Sequence, residues 1–121
     1  MLLSNYSYSQ LGKSESYIKS HNKATVLYID NQKYLQVVGD DQSFIQSSNY
    51  YINKRGVCTK IIFIALPENE YGVIEFLNKE KDYIRLSDTL WVSTKGEYSN
   101  ISVELVRTGK VSLFIFQPVE I

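Results

Sequence analysis

The sequence predicts a mainly β protein of the α+β class. About eight antiparallel strands form a meander, curled into a barrel or split into a sandwich, with one helix near 41–54 packed against it. Three observations carry this expectation. Strand-length apolar runs recur from Thr25 to Phe116. Turn-forming residues interrupt them at short spacing. The segment Ile101 to Phe116 reads as two alternating runs around Arg107-Thr108-Gly109, the composition of a β-hairpin with glycine at the left-handed position.

Residues 1–23 are rich in Ser, Asn and Tyr. They read as a polar N-terminal arm or as a short helix through Glu15, Tyr17, Ile18 and Lys19, capped by Ser14. Thr25 to Ile29 and Tyr34 to Val38 form the first hairpin, turning at Asp30, Asn31 and Gln32. Both strands are apolar on both faces, and two registers fit. The helix follows Gly39-Asp40-Asp41. Asp40 or Asp41 supplies an N-cap, and Phe44, Ile45, Ser48, Tyr51 and Ile52 fall at helical spacing. Lys54 and Arg55 sit at the negative end of the dipole, with Gly56 at the C′ position. Its serines and asparagines are mediocre helix formers, so packing has to hold it.

From Val57 onwards the chain reads as β. Cys58 to Leu66 is apolar on both faces, as a central strand requires. Pro67-Glu68-Asn69-Glu70 is a turn, and Tyr71 to Leu77 is the returning strand. Asn78 to Asp82 is a charged loop. Tyr83 to Leu86 and Leu90 to Ser93 pair through Ser87-Asp88, and Lys95-Gly96-Glu97 leads into the last hairpin. With a three-residue loop there, Val106 faces Lys110. Ile101, Val103 and Leu105 then share a face with Val111, Leu113 and Ile115, and Ser112, Phe114 and Phe116 take the other.

Composition bounds the function. The 121 residues make a single domain, 1–121, large enough for a core without disulfides or metals. Thirteen basic and thirteen acidic residues cancel, which removes the global attraction to nucleic acid or anionic lipid. The longest apolar run, Ile61 to Leu66, is far short of the ~18 residues of a membrane span. One cysteine excludes an intramolecular disulfide. Met1-Leu2-Leu3 enters a polar stretch with no basic n-region, so the expected compartment is the cytoplasm. Richness in Ile, Asn, Lys, Tyr and Ser suits an AT-rich genome, such as those of many bacteria and phages.

The residues that carry chemistry are few. His21 is the only histidine, which rules out a multi-histidine metal site. Cys58 opens an apolar strand, the setting of an inert core thiol. Asp40-Asp41 is explained by helix capping and Glu68/Glu70 by a solvated turn. Metal-ligand spacing, a phosphate-binding glycine loop and a nucleophile elbow are all missing from the sequence, and no cofactor is expected. The compositional oddity is ten tyrosines, several among Ser and Asn, as in Asn5-Tyr6-Ser7-Tyr8-Ser9 and Ser48-Asn49-Tyr50-Tyr51. Tyrosine with Ser and Asn is the composition of binding surfaces, because a rigid amphipathic ring supplies contact area at little entropic cost.

The sequence therefore suggests a small non-catalytic module that binds another protein, of the kind exemplified by bacterial or phage immunity and inhibitor proteins. Tyr17, Tyr50, Tyr51, Lys54 and Arg55 are its candidate contact residues. Neither nucleic acid nor membrane is an expected partner, and a homodimer through a sheet edge is compatible with a small open sheet. The alternative expectation is a β-barrel that encloses a small apolar ligand.

Overall fold

The computed structural model describes residues 11–39, 44–80, 82–93 and 100–119. These form eight antiparallel strands in one sheet and two helices. In chain order they are α1 (Glu15–His21), β1 (Thr25–Ile29), β2 (Gln32–Val38), β3 (Ser47–Ile52), β4 (Cys58–Ala65), α2 (Glu70–Lys79), β5 (Tyr83–Ser87), β6 (Leu90–Ser93), β7 (Ile101–Arg107) and β8 (Ser112–Pro118). A 3₁₀ turn, Pro67–Asn69, leads into α2.

Across the sheet the order is β1-β2-β3-β4-β8-β7-β6-β5. A helix followed by a four-strand meander occurs twice, and the last strands of the two meanders, β4 and β8, pair at the centre. The sheet ends in two edges, β1 and β5. It is therefore not a closed barrel, and the expectation of a barrel enclosing a ligand falls with that. The mainly antiparallel β class stands.

One face carries the core. Leu35, Tyr50, Ile61, Phe116, Val103 and Trp91 are neighbours across successive strands, and all are buried. Ile18 of α1 and Val73, Ile74 and Leu77 of α2 join them in a single cluster, so both helices lie on this inner face. Phe63 and Phe116 pack with ring centroids 4.8 Å apart.

Several local expectations hold. Ser14 caps α1, accepting a hydrogen bond from the Tyr17 amide at 3.1 Å. The first hairpin is present, with Asp30 and Asn31 at φ of 51° and 65°; two left-handed residues define a type I′ turn. Gln32 belongs to β2, not to the turn. Cys58–Ala65 is a central strand.

Three expectations are corrected. The helix near 41–54 is not formed by the described part of that segment, because Ser47–Ile52 is β3. Ser48, Tyr50 and Ile52 alternate onto the core face, and this period-two burial, with Tyr and Ile as strand formers, outweighs the helical spacing. Gly56 at φ 78° closes a β3–β4 turn built on Asn53. The Asn53 side-chain oxygen accepts from the amides of Arg55 and Val57 at 2.9 and 3.1 Å. The proposed caps Asp40 and Asp41 lie outside the described residues.

Conversely, Tyr71–Leu77 is helical, within α2. Val73, Ile74 and Leu77, at i, i+1 and i+4, are its buried residues, and Pro67 starts the preceding 3₁₀ turn, where its missing N–H is harmless. The two errors offset, so the count of eight strands survives.

The last hairpin has a longer loop than expected. Arg107 pairs with Ser112 and Val106 with Leu113. The Thr108 hydroxyl accepts from the amides of Lys110 and Val111, and the Thr108 amide donates to the Val111 carbonyl, with Gly109 left-handed at φ 89°. This reverses the expected faces: Phe114 and Phe116 enter the core with Val103 and Leu105, while Leu113 and Ile115 face away. The turn Lys95-Gly96-Glu97 and the tyrosines of the first ten residues lie outside the described residues.

Candidate functional site

No described helix covers the outer face of the sheet, yet its centre is apolar. The registers place Ile62 beside Ile115, and Ile64 beside Leu113, which in turn neighbours Val106. On β7 the exposed Glu104 and the half-buried Ser102 share this face, Glu104 beside Ile115, and separate the apolar centre from Leu90, Val92 and Ile84 nearer the β5 edge, where Ile84 is 56% exposed. β4 and β8 are thus apolar on both sides. Strands of that composition are usually buried on both faces, but here the two helices bury only one.

The flank of this face near β2 and β3 is aromatic and polar. Tyr34 and Tyr51 pair across the strands with centroids 5.5 Å apart. The Lys60 ammonium lies 5.3 Å from the Tyr51 ring centroid, within cation–π range. Beside them, the Gln36 amide donates to Asn49 at 3.1 Å. An apolar centre with an aromatic and polar rim is the anatomy of a protein interface.

The five expected contact residues separate. Tyr51 and Lys54 come together, lining a cleft of about 450 Å³ with Gln32, Lys33 and Glu15 at the end of the sheet. Arg55 is exposed on the same β3–β4 turn. Tyr17 stands on α1, stacked on His21 at 4.1 Å with Lys13 over its ring. Tyr50 is corrected: it is fully buried on the inner face and is a core residue, because strand alternation sends it opposite to Tyr51.

Glu15 ties α1 to the sheet. Its carboxylate meets Lys19 and Lys33, each at 2.7 Å. The hydrogen bond from Lys19, then that from Lys33, holds its pKa below the usual carboxylate range. The same contact raises the pKa of Lys33. His21 Nδ1 sits 2.9 Å from both the Tyr17 carbonyl and the Ser20 hydroxyl, a helix-terminal role. Burial pushes the Cys58 thiol up to about 12, so it stays protonated and unreactive near neutral pH. Among the described residues, no three His, Cys, Asp or Glu side chains gather where a metal ion would be held. No described helix is long and apolar enough to cross a membrane.

The outer-face centre, Ile62, Ile64, Val106, Leu113 and Ile115, is the part that sequence reasoning missed. The available signal was the double apolarity of Ile61-Ile62-Phe63-Ile64 and Leu113-Phe114-Ile115-Phe116. No protein-family model, curated protein or solved structure matches this chain.

Proposed function

We propose that this protein is a non-catalytic binding module that docks another protein on the outer face of its sheet. Bacterial or phage immunity and inhibitor proteins, which block an enzyme or toxin in the cytoplasm, are the kind of protein meant. The observation that supports this is the apolar centre formed by Ile62, Ile64, Leu113, Ile115 and Val106, half-buried to exposed and covered by no described helix, since apolar surface of this kind marks interaction sites.

Size is consistent with that use. With strands ~4.8 Å apart, eight strands span about 34 Å, and three same-face rows add about 14 Å of height. The face is on the order of 500 Å², a large part of the ~800 Å² each partner contributes to a standard interface. Tyr51 and Lys60, both half-buried, supply the rim, which shields the apolar centre from water. Of the residues singled out in the sequence, Tyr51 borders the face directly, and Lys54 shares its cleft.

The test is affinity capture from native lysate with the wild-type chain, Ile64→Glu and Leu113→Glu, read by mass spectrometry. Both substitutions place a charge in the centre of the face. Circular dichroism and melting curves establish that the variants remain folded. The expected result is a stoichiometric protein retained by wild type and lost by both variants, whose own activity falls when wild-type protein is added. Equal retention by folded variants, or no protein retained by wild type, would overturn the proposal.

A further inference from the structure

The two sheet edges are built differently. β5 is blunted: its pairing with β6 is broken by a bulge between Arg85 and Ser87. The Arg85 guanidinium bonds the carbonyls of Ser87 and Asp88 at 3.1 Å each. Bulges and edge charges are how sheets discourage further pairing. β1 has neither. Thr25-Val26-Leu27-Tyr28-Ile29 pairs with β2 in unbroken register and contains no charge, proline or glycine. Tyr28 and Ile29 are 68% and 54% exposed. A regular, apolar edge that no described strand or helix pairs with on its outer side is a template for another strand.

The strand that fits is its own copy. In a two-residue type I′ hairpin the residues flanking the loop exchange both backbone hydrogen bonds, here Ile29 and Gln32. By alternation, Leu27 and Thr25 also turn their backbone groups to β2. The N–H and C=O groups of Val26 and Tyr28 therefore point outwards.

Antiparallel pairing about a two-fold axis through Leu27 sets Val26 of each copy opposite Tyr28 of the other. All of these outward groups then become bonded, giving four hydrogen bonds. β-Branched Val26 packs against aromatic Tyr28 on the inner face, a favourable cross-strand pair. Leu27 meets its counterpart on the outer face. At each end Thr25 lies opposite Ile29 of the other copy, and just beyond the paired strands Lys23 of one copy and Asp30 of the other are opposite in charge.

We propose that the protein forms a two-fold dimer through β1, joining two eight-stranded sheets into one sixteen-stranded sheet. This is independent of the partner proposed for the outer face, which stays open in the dimer.

In this register the two Leu27 residues form a non-hydrogen-bonded pair with Cα atoms ~4.5 Å apart, within disulfide reach. The two Thr25 residues are about 13 Å apart. Leu27→Cys and Thr25→Cys, made in the full chain and oxidised with diamide, discriminate the register. Cys58 does not compete, being buried. The expected result is rapid cross-linking of Leu27→Cys, to twice the 14.0 kDa of the chain, and little of Thr25→Cys.

Sedimentation equilibrium of the unmodified chain should show a monomer–dimer equilibrium that Tyr28→Lys, at an exposed position and checked by circular dichroism to remain folded, weakens about tenfold by charging both edges. Overturning results are a wild-type monomer at every concentration, open-ended oligomers, or equal cross-linking of the two cysteine variants. Loss of the dimer in Ile64→Glu but not Tyr28→Lys would also overturn it, by moving self-association to the outer face.

Discussion

Glu70 at the start of α2 and Arg107 at the end of β7 form a two-pronged ion pair. Arg107 Nε and Nη2 donate to the two carboxylate oxygens at 2.9 and 3.0 Å. The Ser112 hydroxyl adds a third bond at 2.7 Å. A helix and the two strands of the last hairpin therefore converge on one carboxylate.

That convergence has a pH signature. The hydrogen bond from Arg107, chiefly, draws the Glu70 pKa below its ordinary 4.5, and Glu15 shifts the same way. A carboxylate whose folded pKa is depressed adds stability above its unfolded pKa, and that stability is lost as pH falls through the folded value. Near neutral pH, Glu70→Gln should lower the Tm by roughly 3–5 °C. The difference from wild type should shrink steadily once pH drops below about 4.5 and vanish in strong acid. Thermal melts across that range check it; a difference independent of pH would refute the ion-pair account.

Trp91 is fully buried, and its indole N–H donates to the Asn78 side chain on α2 at 2.9 Å. Removing the acceptor strands a buried donor, so Asn78→Ala should cost about 1–3 kcal/mol. Asn78→Asp keeps an acceptor and should cost less. Urea titration followed by the fluorescence of the single tryptophan measures both.

Gly39 is required by close approach. A Cβ there would fall on the carbonyl oxygen of Ile45. That backbone has no room to yield, because the Gly39 amide donates to Gln46 and the Gln46 amide donates to Ile64. Gly39→Ala should destabilise the fold by about 3 kcal/mol, read as a shift in the denaturation midpoint.

Tyr50 and Tyr51 are adjacent in sequence and opposite in role. Tyr50→Ala empties a core position and should cost about 3–5 kcal/mol. Tyr51→Ala, on the half-buried outer face, should cost about 1 kcal/mol while weakening partner capture. Similar costs for the two would contradict the strand assignment of Ser47–Ile52.

The parts of the fold legible in the letters are those set by local chemistry. Ser14 as a cap, Asp30-Asn31 as a turn and Cys58–Ala65 as a central strand follow from hydrogen-bonding groups and polarity within a few residues. The mainly antiparallel class followed from the frequency of such signals. Of the candidate site, Tyr51 was singled out by composition, because tyrosine among Ser and Asn is the composition of binding surfaces.

What the tertiary structure alone decided is periodicity and facing. Ser48, Tyr51 and Ile52 fit a helical stripe, while Ser48, Tyr50 and Ile52 fit a strand; Val73, Ile74 and Leu77 presented the same ambiguity in reverse. Only burial against partners far along the chain selects between two periods of similar local energy. The last hairpin shows this most plainly, since Leu113-Phe114-Ile115-Phe116 is apolar at every position and tolerates either register. The pairing of β8 with β4, across some fifty residues, puts the phenylalanines beneath the helices. It leaves the isoleucines and Leu113 on the open face, and so creates the surface proposed for binding.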